Sequence, residues 1–193
     1  MSQQIQRDVF GVSDALFAYL TQKCADCTLR FKASSSLDKD DYQEITPRVF
    51  LYTFDDNTTE VPSPCVLIQP TLITQQSIHY VLYISVSHPA IQECEIVDEV
   101  PAGSRHYQYR DGSEFTSDGV RRELYRACLM LENFVFFQMM QWRGDGKLIQ
   151  NLVANPPSPF MENFPACEGT VEFDFTYETR TSTYAGTRLQ ELL

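Results

Sequence analysis

Hydrophobic residues recur along the chain at two spacings, and each spacing predicts one kind of secondary structure. Spacings of three and four are those of a helix that buries one face, and they occur over residues 8–24 and 119–141. Ser13 or Asp14 can cap the first helix by accepting hydrogen bonds from its free backbone N–H groups. Asp118 is the matching cap for the second. The pattern therefore predicts one helix near the N-terminus and one long helix in the second half of the chain.

The long helix carries two apolar faces. The face expected to lie in the core consists of Val120, Leu124, Cys128, Leu131, Val135 and Met139. The second face consists of Tyr125, Leu129, Phe136 and Met140. A helix that is apolar on two sides is either buried on both or half covered by a partner. The four residues of the second face are therefore candidates for a contact with another subunit.

Short runs of β-branched, aromatic or other apolar residues, two of them alternating with a period of two, predict strands in both halves of the chain. The segments are residues 48–54, 65–70, 79–88 and 170–177, with shorter strands at 27–31 and 147–153. Residues 79–88 carry apolar groups on both faces, so this strand is expected at the centre of a sheet. Residues 33–44 are rich in Ser and Asp without an apolar period, which predicts an exposed loop.

The strand at residues 170–177 separates an apolar face from a polar one. The residues expected to face the core are Val171, Phe173, Phe175 and Tyr177. Glu172 and Asp174 alternate with them and are expected to face outward, which leaves this side of the strand wet. The two acids are therefore candidates for a subunit interface or for the wall of a lumen, where they would repel phosphates at short range.

Residues 93–116 form a predicted insertion with opposed charges. The acidic candidates are Glu93, Glu95, Asp98 and Glu99, and the basic candidates after a turn are Arg105 and Arg110. Antiparallel pairing of residues 94–100 with 105–110 would set acids against bases across a protruding hairpin. A solvated loop with charges segregated by chance is the alternative, because turn residues and length do not fix a register. In both cases we expect the segment to act at an interface or in a lumen and not in the fold.

Composition and charge narrow the class of protein. The chain has 193 residues, of which 43% are hydrophobic and 21% charged, and this is typical of one folded domain. We expect that domain to span residues 1–193, with a frayed tail at 184–193. Fifteen basic and 26 acidic residues give a net charge of -11. An acidic surface repels phosphates, which argues against sequence-specific binding of nucleic acid.

No segment carries a motif for catalysis or for a cofactor. The sequence lacks a nucleophile elbow, a P-loop and a dinucleotide fingerprint. Cys24 and Cys27 form the pair C-A-D-C, but a zinc site needs two further ligands and none follows at a suitable spacing. The six cysteines are interpreted mainly as buried thiols. We therefore expect no catalytic residue, no metal and no cofactor.

The sequence shows no sign of export or of membrane insertion. The polar N-terminus lacks the pattern of a secretory signal. The most apolar stretch, residues 127–142, is shorter than the roughly 20 residues that span a bilayer. We expect an intracellular protein without a membrane segment.

The order of elements predicts an α+β fold, in which a mostly antiparallel sheet carries both helices on one face. This layout resembles the tail-terminator, or tail-completion, proteins of long-tailed bacteriophages. The features that carry the resemblance are the first helix, the strand 48–54 with its acidic turn, the segment 61–70, the strand 79–88, the long helix and the strand 169–178. The resemblance covers most of the chain, which is longer than the family pattern at residues 34–44, 93–115 and 156–168.

The resemblance implies a non-enzymatic ring, commonly a hexamer, in the neck or tail of a virion. Such a ring assembles in the host cytoplasm, caps the tail tube, and joins it to a head-side connector or stopper protein while DNA passes through. Another phage neck, tail-tube or baseplate component of similar fold is an alternative. A small cytosolic enzyme is an alternative of a different class, with Asp55 and Asp56, or Glu172 and Asp174, as its acid and base.

Overall fold

The computed structural model describes residues 2–35, 41–53, 63–74, 76–94, 106–114, 116–144, 149–158 and 164–176. Within these ranges the chain forms two helices and nine strands. The helices are α1 (Ser2–Cys24) and α2 (Ser117–Gly144). The strands are β1 (Leu29–Lys32), β2 (Tyr42–Ile45), β3 (Arg48–Leu51), β4 (Cys65–Ile73), β5 (Ser77–Ser87), β6 (Ile91–Cys94), β7 (His106–Tyr109), β8 (Ile149–Asn155) and β9 (Ala166–Thr176). The α+β class predicted from the sequence is confirmed.

Five of these strands form one sheet in the order β3-β4-β5-β9-β8. Only β3 and β4 run parallel in it, and the other neighbours are antiparallel. β5 lies at the centre, as its two apolar faces predict. Two separate pairs, β1 with β2 and β6 with β7, make small two-stranded sheets.

The five-stranded sheet has an inner face, which both helices cover, and an outer face on the opposite side. The inner face of β5 and β9 is made of alternate residues that are fully buried, namely Tyr80, Leu82, Ile84, Val171 and Phe173. The predicted core stripe of α2, from Val120 to Met139, is buried against them. Each large side chain removed from water in this way stabilises the fold by about 1.5 to 3 kcal/mol. The inward facing predicted for Val171 and Phe173 of β9 is confirmed, and Phe175 packs half-buried against the same core. Tyr177, also predicted to face the core, lies outside the described residues.

Both helix starts differ from the prediction. α1 begins at Ser2, so Ser13 lies inside the helix, where it is buried and its hydroxyl is 2.8 Å from the hydroxyl of Tyr80. In α2 the backbone N–H of Val120 donates to the carbonyl oxygen of Thr116, which makes Thr116 the cap residue. Asp118 lies in the first turn instead, where its charge still favours the positive end of the helix dipole.

The predicted loop at residues 33–44 is wrong in part, because β2 lies at its end. β2 pairs with β1, and Leu29 stands opposite Ile45. Arg30 stands opposite Glu44, and the two side chains form an ion pair of 3.2 Å. β2 has no apolar alternation of its own, so it forms only because β1 offers an edge to pair with.

The base of the charged insertion belongs to the fold, which corrects the prediction for residues 93–116. Pairing begins at Ile91, opposite Tyr109, and both side chains are buried in the main core. The pairing is antiparallel, as in the predicted hairpin, and joins Cys94 to His106 and Glu93 to Tyr107. Arg110 donates from its Nε to the carbonyl oxygen of Pro89, at 2.9 Å. Glu95, Asp98, Glu99, Arg105 and the tail at 184–193 lie outside the described residues.

Candidate functional site

The outer face of the sheet gathers polar side chains from strands that are distant in sequence. β5 presents His79 there, and β9 presents Glu172 and Asp174, both of which face outward as predicted. In the register of these strands His79 stands directly opposite Asp174. The imidazole Nδ1 is 2.8 Å from the Asp174 Oδ1, and Nε2 is 3.7 Å from the Glu172 Oε2. One ring thus bridges the two acids.

Two asparagines of β8 hold the outer oxygens of these acids. The pairing of β8 with β9 shifts register after Gln150, and Asn151 takes a φ of 50°, a conformation that Asn tolerates better than most residues. Its side-chain amide donates to the Asp174 Oδ2 at 2.7 Å. Asn155 donates in the same way to the Glu172 Oε1 at 2.8 Å. The hydrogen bond from Asn151, together with His79, holds the pKa of Asp174 below its ordinary value.

These contacts join five side chains into one polar network: His79, Asn151, Asn155, Glu172 and Asp174. Among the described residues, no hydroxyl or thiol is hydrogen-bonded to the His79 ring, so a Ser–His or Cys–His pair is not formed there. Nor do the described residues contain three or more His, Cys, Asp or Glu side chains placed to hold a metal ion.

The same face carries exposed apolar side chains around the network. Tyr83 is 42% exposed and Val153 is 49% exposed. A groove of about 510 Å³ runs beside Tyr83, and its floor and walls include Leu67, Glu168, Gly169 and Thr170. Isolated exposed apolar residues are common on protein surfaces, but a mixed groove of this size beside exposed apolar side chains is typical of a contact surface.

The outward side of α2 is the second exposed surface of this type. Of the predicted candidates Tyr125, Leu129, Phe136 and Met140, the first three are half-buried, and Tyr125 and Phe136 pack against the main core. Met140 is 48% exposed. The residues that the prediction missed are Met130 and Phe137, 54% and 58% exposed. Their spacing of seven was a usable signal, but the aromatic run around them hides which side faces water.

The N-terminal half of this helix side is basic. Arg122 and Arg126 are exposed and border a groove of about 540 Å³ between α2 and the β1–β2 pair, which Met130 also lines. In the part of the chain that the structure describes, neither arginine forms an ion pair. Arg121, by contrast, stacks its guanidinium over the ring of Phe164, 5.3 Å from the centroid. Arg122 and Arg126 are thus cations available to a partner.

No protein family, no curated protein and no solved structure matches this chain. The outer sheet face and the outward side of α2 are the two candidate surfaces, and they lie on opposite sides of the fold because α2 covers the inner face of the sheet. Of the predicted candidates, Glu172 and Asp174 lie on the sheet side, and Met140 lies on the helix side.

Cys24, Cys27, Cys65, Cys128 and Cys167 are free thiols in buried positions. Burial, with a smaller effect of Cys27, raises the pKa of Cys24 to about 12, and burial raises that of Cys65 to about 11. The thiolate is the form that attacks substrates and binds metals, and at neutral pH these groups stay protonated. In the same described part of the chain, no helix is long and apolar enough to span a membrane.

Two acids of α2, the buried Glu132 and the partly exposed Glu123, were not predicted from the sequence. The Glu132 carboxylate lies over Gly169, where a Cβ would come within 3.2 Å of the Glu132 Oε2. That oxygen has no hydrogen-bond partner among the described residues, and burial raises the pKa of Glu132. Glu123 accepts from the backbone N–H of Lys32 at 2.6 Å, and its other oxygen is 3.5 Å from the buried His88 Nε2. Glu123 therefore fastens α2 to β1, whereas no such bond is shown for Glu132 within the described ranges, and neither group belongs to the outer surfaces.

Proposed function

We propose that this chain is a non-enzymatic structural subunit that assembles head to tail into a ring. The observation that carries the proposal is the pair of unlike exposed surfaces on opposite sides of one fold. One is the outer sheet face with Tyr83 and Val153, and the other is the outward side of α2 with Met130 and Phe137. A subunit that joins unlike surfaces forms a closed ring when the rotation between neighbours closes, and a filament when it does not.

A tail-terminator ring of a long-tailed bacteriophage is the assembly that fits best. The element order of this chain resembles that family, whose rings are commonly hexamers. In that role the subunit caps the tail tube, contacts the tail-tube protein on one side and a head-side connector or stopper on the other, and belongs to the virion neck. A net charge of -11 suits a ring through which DNA slides, because an acidic wall does not bind phosphates. Another neck, tail-tube or baseplate role would use the same surfaces.

We assign Glu172 and Asp174 to a subunit interface and not to the lumen. Both acids are already bonded to neighbouring side chains, and apolar residues surround them on the same face. In the wall of a water-filled channel, Tyr83 and the apolar groove beside it would stay in contact with water, whereas a subunit interface buries both. The enzyme alternative would use Glu172 and Asp174 as acid and base, but the outer oxygens of both carboxylates already accept hydrogen bonds from the amides of Asn151 and Asn155.

The assembly state tests this function. We expect native mass spectrometry of the purified protein, alone and mixed with its tail tube, to detect a closed oligomer in at least one setting. Electron microscopy should then show rings or capped tube ends. A strict monomer in both settings would contradict the proposed function.

A further inference from the structure

We propose that α2 of one copy docks lengthwise on the outer face of β9 in the next copy, with Arg122 and Arg126 beside Glu172 and Asp174. This inference rests on the proposed head-to-tail assembly and specifies which residues meet in it. The inner face of β9 already packs against the same chain's α2. The docked helix would therefore complete a three-layer arrangement, with the sheet between two helices.

The outward rows of β9 and α2 have similar lengths. The outward row of β9 consists of every second residue, Glu168, Thr170, Glu172 and Asp174, and spans about 20 Å at about 3.3 Å per residue. The outward row of α2 consists of Arg122, Arg126, Met130, Asn133 and Phe137, all exposed, and spans about 22 Å at about 1.5 Å per residue. Each row can therefore contact the other from end to end.

The order of charged and apolar groups along the two rows fixes the direction of the docked helix. On α2 the basic residues come first, and the apolar Met130 and Phe137 follow. On the outer face, the acids Glu172 and Asp174 lie at one end, and the groove beside Tyr83 lies towards the other. When the arginines meet the two acids, Phe137 reaches the groove, so the helix must run antiparallel to β9. This orientation sets the arginines against Glu172 and Asp174 and sets Phe137 in the groove, whose lining also includes Glu168.

The charges of the two surfaces also make the docking selective. In a chain with a net charge of -11, most surfaces repel the acidic outer face. Arg122 and Arg126 are exposed cations without an ion pair in the described residues, and they adjoin an apolar stripe on the same helix side. Opposite charges across an interface fix register and exclude wrong partners, which a ring of defined size requires.

Charge reversal tests the pairing in the full-length protein. We expect Arg126→Glu and Glu172→Arg each to weaken assembly by about tenfold or more, measured as the dissociation constant in sedimentation velocity. The two reversals combined in one chain should recover most of the affinity, because the pair is restored in opposite sense. Arg121→Glu is the matched control: it makes the same charge change on the same helix, and we expect assembly to be unchanged.

Phe137→Ser provides a second test that does not depend on charge. We expect it to weaken assembly while circular dichroism shows an unchanged melt, because this side chain is exposed in the monomer. The proposed docking is wrong if the wild type assembles but neither reversal weakens assembly, or if the combined reversal recovers no affinity. In either case the proposal of a ring still stands. If the wild type never assembles, the proposed function falls and the docking falls with it.

Discussion

The two faces of the five-stranded sheet are built from the same strands but differ in how deeply their side chains are buried. On β9, Phe173 points inward and is fully buried under the helices, while its neighbours Glu172 and Asp174 point outward and remain partly exposed. On β5, Tyr80 and His79 divide in the same way. The inner face is buried when the chain folds, whereas part of the outer face, around Tyr83 and Val153, stays exposed. The comparison predicts that inner substitutions change stability and that outer ones change association.

Phe173→Ala should have the largest effect on the inner face. Its ring is fully buried and stacks on Tyr80, with centroids 5.4 Å apart. We expect a loss of about 3 to 5 kcal/mol in the free energy of unfolding, from lost transfer energy and a cavity. Urea melts measure it, with Glu172→Gln as the control on the adjacent outward position. If the control costs more than Phe173→Ala, the assignment of the faces is reversed.

Glu132→Gln tests the charged group on the inner side. The folded pKa of Glu132 is raised by burial, so its contribution to stability is complete below the unfolded pKa and is lost as pH rises through the folded pKa. Gln cannot ionise, so the variant escapes this loss. We expect it to be more stable than the wild type by about 1 kcal/mol at pH 8.

The pH dependence of this difference is the decisive part of the measurement. Below about pH 4 the wild-type Glu132 is protonated in both states, so the advantage of the variant should disappear. An advantage that is equal at pH 4 and pH 8 would mean that ionisation of Glu132 is not its cause.

Asp174→Asn should have a smaller effect, because the outer network is partly solvated. The pKa of Asp174 is lowered, chiefly by Asn151, so its stabilisation is present above the unfolded pKa and is lost as pH falls through the folded pKa. We expect a cost of about 0.5 to 1 kcal/mol at pH 7, which shrinks in acid. Thermal melts at pH 7 and pH 3 measure this, and a cost that grows in acid would contradict the assigned hydrogen bond.

Tyr83→Ser should have the smallest effect on folding, although the side chain is large. It lies on the outer face and is 42% exposed, so we expect a change within about 0.5 kcal/mol in the unfolding free energy. Assembly, by contrast, should weaken. A variant that melts far below the wild type while assembling normally would remove the distinction between the two faces.

The sequence predicted the inner face better than the outer one, for a physical reason. Burial imposes a period on the apolar residues, so the inward facing of Val171 and Phe173 could be derived from spacing alone. The outer network depends on which strands are neighbours and on their register. His79 and Asp174 are far apart in the sequence, and only the pairing of β5 with β9 brings them together.

A periodic pattern of hydrophobic residues also could not predict local irregularities of the backbone and of side-chain packing. The register shift in β8 gives Asn151 the backbone turn that directs its amide to Asp174, and no spacing rule indicates it. On α2, the dense apolar run made Phe136 and Phe137 equivalent in sequence, whereas in the structure the first packs against the core and the second is exposed. Such choices are made by tertiary packing, not by local preference.

Disulfide trapping between two single-cysteine additions tests the central claim most directly. Phe137→Cys places a thiol on the outward side of α2, and Tyr83→Cys places one on the outer sheet face, on opposite sides of the same chain. Five native cysteines, Cys24, Cys27, Cys65, Cys128 and Cys167, are buried. The sixth, Cys94, is replaced by Ser in both variants so that the new thiols react first. We expect mild oxidation of the mixed variants to give disulfide-linked dimers, and either variant alone to give almost none. Assembled protein that forms no such dimers in the mixture would contradict the helix-to-sheet contact between copies.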